Sequence, residues 1–216
     1  IAARSVPNKA FLEENLNQLV NEVGIEEVLI IGGAVDSPVG EFSDSMQILE
    51  SELIDKYKIK RVGVAGHPEG SPDISDENIR KALMWKNGFA ERSGAEFYIV
   101  TQFCFEAKPI IAWDKAIRAE GNKLPIRIGI PGIASIKTLL NYAKACGVGQ
   151  SINFLKRQGR NVAKLMTTST PDKQIIELAC YKGQDVECGI SGVHMYPLGG
   201  LKKTANWTNV VIDQQF

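Results

Sequence analysis

The feature that most constrains this chain is an alternation of short apolar, β-branched runs with longer segments of helical periodicity. VLIIGG (28–33) is apolar on both faces and ends in two glycines, the pattern of a strand buried on both sides in a parallel sheet. Before it, residues 9–23 place Phe11, Leu12, Leu16, Leu19, Val20 and Val23 at helical spacing, with Asn8 positioned as the N-cap. After it, residues 43–56 read as a helix with Ser43 as its cap. The cycle then recurs: strand 61–66, helix 75–93, strand 97–103, helix 108–120, strand 126–132, helix 134–146. Residues 150–165 read as two short helices, 170–187 as a longer helix, 191–196 as a strand and 200–210 as a final helix.

Alternating β and α elements imply an α/β fold with a parallel sheet and right-handed crossovers. Two architectures satisfy the pattern, a doubly wound open sheet and a closed (β/α)8 TIM barrel, and periodicity does not choose between them. A complete barrel takes about 250 residues. Six strand–helix units in 216 residues fall short of that by roughly two units. The chain opens on Ile1-Ala2-Ala3, which reads as the tail of a strand. The expectation is therefore a single (β/α) barrel domain over 1–216 that lacks roughly its first two βα units.

Lys plus Arg and Asp plus Glu both number 25, which argues against a basic nucleic-acid-binding surface over the whole chain. No apolar run reaches the roughly 18 residues a bilayer span needs, and no signal peptide opens the chain. Cys104, Cys146, Cys180 and Cys188 form no C-x-x-C pair and are read as reduced thiols of a cytoplasmic protein. A disulfide or a zinc site is the alternative, although only His67 and His194 could add imidazole ligands and no H-x-H or H-E-x-x-H spacing exists. No metal is expected.

In either architecture function gathers at the C-terminal ends of the strands. Those positions here are GGAVDSPVGEF (32–42), GHPEGSP (66–72), TQFCFE (101–106), IPGIAS (130–135) and HMYPLGG (194–200), rich in glycine and proline where a backbone must approach a ligand. His67 and Glu69 share one loop; the histidine reads either as a flat polar wall against a ring-shaped ligand or as a loop-shaping residue. Gln102 ends an apolar strand, where an amide with a donor and an acceptor suits a heterocycle edge or ties neighbouring loops together. Asp36 reads as a catalytic carboxylate or as a solvated turn residue. Arg80, Lys86 and Arg92 lie on the 75–93 helix, either on a solvated face or as cations reaching a cofactor phosphate. Neither G-x-G-x-x-G nor G-x-x-x-x-G-K-[ST] occurs.

Read in order, these loops resemble the methylenetetrahydrofolate reductase family along nearly the whole chain. VGVAGHPEGSP (62–72) is similar to that family's strand and "YPE-x-HP" loop, and GAEFYIVTQFCFE (94–106) to its "GA…-ITQ-FF-D" segment, the most specific of the set. IGIPGIASIKTLLNYAKACGV (128–148) resembles the "PGI-P" strand and helix, GISGVHMYPLGG (189–200) the "GV-HFYTLN" end, and IIGGAVDSPVGEFSDS (30–45) the "LRGD-PP" segment. The resemblance implies a (β/α)8 barrel that binds FAD. Hydride would pass from NADH or NADPH to the flavin and on to methylene-tetrahydrofolate, the cofactor carrying the redox chemistry. It also implies a homo-oligomer in one-carbon metabolism, without nucleic-acid or membrane partners.

Carried over position by position, the resemblance makes Asp36 the carboxylate near the flavin's reactive edge. Gly33, Phe42, Ser43, Ala65, Gly66, His67, Ser71 and Lys86 become cofactor-binding, Lys86 toward the ribityl-phosphate side. Gln102, Ile136 and Leu198 become substrate-binding, with Gln102 on folate. Several positions depart from the family. Gly32 stands where the family has an arginine, and two extra residues precede Asp36. Ser71 replaces a histidine, Ile136 a stacking phenylalanine and Gly200 an arginine. The general-acid glutamate of the family would precede Ile1. These departures point to a divergent branch, one that could run in the methyl-oxidising direction. They also keep two other classes open: a folate- or flavin-binding subunit without turnover, and a pterin-dependent methyltransferase on the same barrel.

Overall fold

A computed structural model describes residues 1–146 and 167–213. The predicted helices at 150–165 lie outside the described residues. The chain divides into two compact units. Unit 1 comprises Ile1–Gly66, Arg80–Val100 and Asn122–Pro125; unit 2 comprises His67–Ile79, Thr101–Gly121 and Ile126–Phe216.

In unit 1, helix α1 (Lys9–Gln18) starts where Asn8 accepts a hydrogen bond from the Phe11 amide at 2.8 Å, as its spacing predicts. The helical path continues through one π turn, Leu19–Val23, and stops at Gly24, whose φ of 77° is the left-handed C-cap conformation. Strand β1 (Glu27–Ile30) follows, and Ala2 forms a parallel bridge to Ile31 beside it. Ala2 thus pairs as a strand residue, with Ile31 N donating to Ile1 O and Ala3 N to Ile31 O, both at 2.9 Å, but Ala3–Ser5 already turns as a 3-10 helix.

The single helix expected over 43–56 is instead two, α2 (Ser45–Leu49) and α3 (Leu53–Lys56). The cap is Asp44 rather than Ser43: its carboxylate accepts from Met46 N at 2.8 Å and Gln47 N at 3.1 Å. The break has a local cause. Ser51 Oγ donates to Ile48 O at 2.6 Å, and Glu52 takes a left-handed φ of 66°. Strand β2 (Arg61–Gly66) pairs in parallel with β1 from Glu27↔Arg61 to Ile30↔Val64. Val28, Ile30, Ile48, Leu49, Val62 and Val64 are among the buried side chains of this unit.

Helix α4 (Asp76–Ala90) precedes strand β3 (Glu96–Phe103). Unit 2 holds the end of β3, then α5 (Ala107–Ala119) and β4 (Ile126–Pro131). A short antiparallel pair, β5 (Ala134–Ser135) with β6 (Thr168–Ser169), was not expected from the sequence and takes the first residues of the helix predicted at 134. Helix α6 (Ile136–Ala145) begins just after it, capped by Ser135 Oγ on Thr138 N at 3.2 Å. Helix α7 (Asp172–Gln184), strand β7 (Ile190–Tyr196) and helix α8 (Leu201–Ile212) complete the unit. β4 and β7 are parallel, with one register shift between Ile126 and Arg127.

The larger sheet among the described residues has the order β1-β2-β3-β4-β7. In β4, Ile126, Ile128 and Ile130, which alternate onto one face of the strand, are fully buried. Gly129 alternates with them because a Cβ there would lie 2.4 Å from Thr101 O. No described helix is long and apolar enough to cross a membrane.

Candidate functional site

Unit 1 places Gly33, Phe42 and Ser43 on the loop that follows β1, Ala65 and Gly66 at the end of β2 and Lys86 on α4. The loop after β1 is exposed from residue 34 to 41, and Gly33 enters it with φ of 95°. Asp36 is exposed on it, and its main-chain oxygen accepts from Arg4 Nη2 at 2.5 Å while Val35 O accepts from Arg4 Nε at 2.9 Å. Phe42 is buried, so its ring is core rather than a presented surface. Ser43 is exposed, with its amide and hydroxyl both turned to Gln47 Oε1. Ala65 is half-buried and Gly66 buried at the end of β2.

Lys86, expected on the cofactor side, differs from its helix neighbours in burial. It sits on α4 with only 5 % exposure, whereas Arg80 and Arg92 on the same segment are exposed. Burial lowers its pKa to about 8, and the Asp44 carboxylate opposes that shift only in part. Among the described residues no hydrogen bond or ion pair holds its ammonium group. A buried, unpaired cation is costly and marks a place where an anion would be welcome.

Unit 2 holds the rest. His67, Glu69 and Ser71 are half-buried on the loop between β2 and α4, which turns where Gly70 N donates to His67 O at 3.2 Å. Gln102 Nε2 donates to Gly70 O at 3.2 Å, so the amide does tie two strand-end loops together. Cys104, fully buried, adds a second tie. Burial pushes its thiol pKa well up, and the charge and hydrogen bond of Glu69 push it further the same way. Gln174 Nε2 closes the group by donating to Cys104 O at 2.9 Å.

Around β7, Tyr196 OH donates to Thr101 O at 3.1 Å, and burial pushes its pKa up to about 12. Its ring meets Phe103 and His194 edge-on, with centroids 5.7 and 4.9 Å away. Ile136 is 5 % exposed in an apolar cluster with Phe103, Ala134, Leu139 and Ala143, against which Leu198 also packs. Both therefore serve the packing of the β4 and β7 loop ends. All four cysteines are free, and the described residues contain no group of three or more His, Cys, Asp or Glu placed to hold a metal.

Sequence reasoning found the strand ends but missed what organises them. The hold of Arg4 on residues 35 and 36 is a contact over more than thirty positions, with no local signal. The Glu69–Cys104 contact was equally silent, although both residues stood inside the segments singled out.

Parallel strands, intervening helices and polar residues gathered at strand C-terminal ends define an α/β protein of the (β/α)-barrel class. The profile of the methylenetetrahydrofolate reductase family matches residues 6–208, and the chain belongs to that family. It is 36% identical over 114 residues to methylenetetrahydrofolate reductase 1 of Schizosaccharomyces pombe, a match covering 52% of this chain and 18% of the relative. It is 29% identical over 107 residues to methylenetetrahydrofolate reductase 2 of Saccharomyces cerevisiae, covering 50% of this chain and 16% of the relative. Each match thus spans less than a fifth of the relative's length.

Proposed function

We propose that the chain carries a flavin-dependent oxidoreductase activity interconverting 5,10-methylene- and 5-methyl-tetrahydrofolate, with NADH or NADPH as the other substrate. The family match over 6–208 is the observation that carries this reading. The chemistry of the donors present agrees with an FAD requirement. Lys86 is a buried cation with no hydrogen bond or ion pair among the described residues and only the more distant charge of Asp44 acting on it, and a cofactor phosphate would supply a direct partner. Bound FAD would serve as the hydride carrier.

The chain's own residues take the remaining roles. Lys86 would hold the anionic part of the cofactor. Asp36, on the loop after β1, would set a negative charge against the reacting rings. His67 would contribute a polar wall, and Gln102 would orient folate while keeping the 66–72 loop in place. Cytoplasmic location, a homo-oligomer and a single barrel domain belong to the same proposal.

The test is the visible spectrum of the purified protein, with added FAD if needed, before and after anaerobic NADH or NADPH. Flavin bands that bleach with the nicotinamide and return with methylene-tetrahydrofolate support the reading. A protein that stays colourless and takes up no FAD overturns it. Given a flavin, Gln102→Leu should lower kcat/KM for the folate substrate by about tenfold, the size of one lost hydrogen bond. The rate of flavin reduction by the nicotinamide should change little. An unchanged folate kcat/KM would remove Gln102 from the substrate site.

A further inference from the structure

Residues 34–41 following β1 are exposed. A stretch with so little burial has little to offset its backbone entropy and would ordinarily open readily. Here it is held from one side by the segment that precedes α1. Arg4 makes four of the ties. Its amide donates to Gly32 O and its carbonyl accepts from Val39 N, both at 2.9 Å. Its guanidinium spans two successive carbonyls, Nε on Val35 O at 2.9 Å and Nη2 on Asp36 O at 2.5 Å. Farther along, the Lys9 amide donates to Glu41 Oε1, and the loop backs onto Pro7 so closely that a Cβ on Gly40 would lie 1.8 Å from Pro7 O.

From this geometry we infer that Arg4 is a positioning residue for Asp36: its guanidinium fixes the main chain of residues 35 and 36 and so fixes where the Asp36 carboxylate is presented. The inference rests on the proposed role of Asp36 in the flavin reaction. Only an arginine suits the task. The planar fork presents Nε and Nη donors at fixed spacing, whereas a lysine ammonium is a point charge on a flexible stem that cannot bridge two carbonyls in one geometry. The main-chain ties of Arg4 survive any side-chain replacement, so substitution isolates the guanidinium.

The experiment compares Arg4→Gln, Arg4→Lys, Asp36→Asn and the double variant Arg4→Gln/Asp36→Asn in the FAD-loaded protein. Far-UV circular dichroism and urea midpoints show that each is folded. The first readout is hydrogen exchange of peptides covering residues 33–39. Exchange in Arg4→Gln should rise by roughly tenfold or more, as expected for local opening, with Arg4→Lys close behind. The second is the single-turnover rate of hydride transfer between flavin and folate. Arg4→Gln should lower it by roughly tenfold to hundredfold, the effect of misplacing a reacting group. The double variant should be no slower than Asp36→Asn, because the two act as one unit.

Unchanged exchange in Arg4→Gln overturns the inference, as does a rate loss that adds in full to that of Asp36→Asn. If Asp36→Asn itself keeps the normal rate, the proposed role of Asp36 has failed. Raised exchange in Arg4→Gln would then still support Arg4 as the residue that holds the loop.

Discussion

Replacing Asp114 by alanine should destabilise the protein by about 3–5 kcal/mol, the range for removing one partner from a buried charged network. Asp114, on α5, is fully buried. Its carboxylate accepts from Tyr181 OH on α7 at 2.5 Å and from Gly189 N, just before β7, at 3.2 Å. Arg118, one turn along α5, brings Nε to 3.4 Å from Asp114 and Nη2 to 2.8 Å from Asp185. One side chain therefore ties two helices to the entrance of a strand. Burial, the hydrogen bond to Asp114 and its charge all raise the Tyr181 pKa, so the phenol stays protonated and donating at neutral pH.

Without the carboxylate, Tyr181 OH and the Gly189 amide lose their acceptor together, and Arg118, whose Nε makes no hydrogen bond, loses a neighbouring charge while keeping its pair with Asp185. Asp114→Asn keeps one oxygen in place and should cost roughly half as much. Urea denaturation followed by circular dichroism measures both. An alanine variant within about 0.5 kcal/mol of wild type would show that the network is not a stabilising element. The network sits at the N-terminal end of β7, at the other end of that strand from His194 and Tyr196. Flavin binding in the folded fraction of the variant should therefore be normal.

The strands and most helices were legible because burial on both faces leaves a continuous apolar run, and caps such as Asn8 act over three residues. What escaped was either non-local or energetically unusual. A glutamate with left-handed φ at position 52 carries no signal of its kind in the sequence, so two helices read as one. For Lys86, which the resemblance set beside a cofactor phosphate, it is the burial that escaped, because charged side chains on an amphipathic helix are ordinarily solvated. Lys86 departs from that rule, and such departures are where a sequence serves function at the expense of stability. Ile136 shows the opposite case: an isoleucine at a position aligned with an aromatic ring finds apolar neighbours and packs with them, and Leu198 lies against the same cluster.

Lys86→Met should stabilise the ligand-free protein. The folded-state pKa falls from 10.5 to about 8, which corresponds to ~3 kcal/mol at 1.36 kcal/mol per unit. Below pH 8 the ammonium is charged in both folded and unfolded chains, so the full cost of burying it is present and stability does not depend on this group. Between about pH 8 and 10 the unfolded chain still holds the proton that the folded chain has released, so wild-type stability should rise with pH across that window. Methionine fills a similar volume with no charge. The variant should therefore be more stable by about 2–3 kcal/mol at pH 7 and lack the alkaline rise. If wild-type stability is flat from pH 7.5 to 10, the desolvated lysine is not the source of the cost. Affinity for FAD should move the other way, falling by roughly tenfold to hundredfold as a charge-assisted hydrogen bond is lost. A variant that is both more stable and equally tight for FAD would show that Lys86 is buried for some reason other than an anionic ligand. A gain in stability coupled to a loss of affinity is the behaviour of a residue held under strain until its counter-ion arrives.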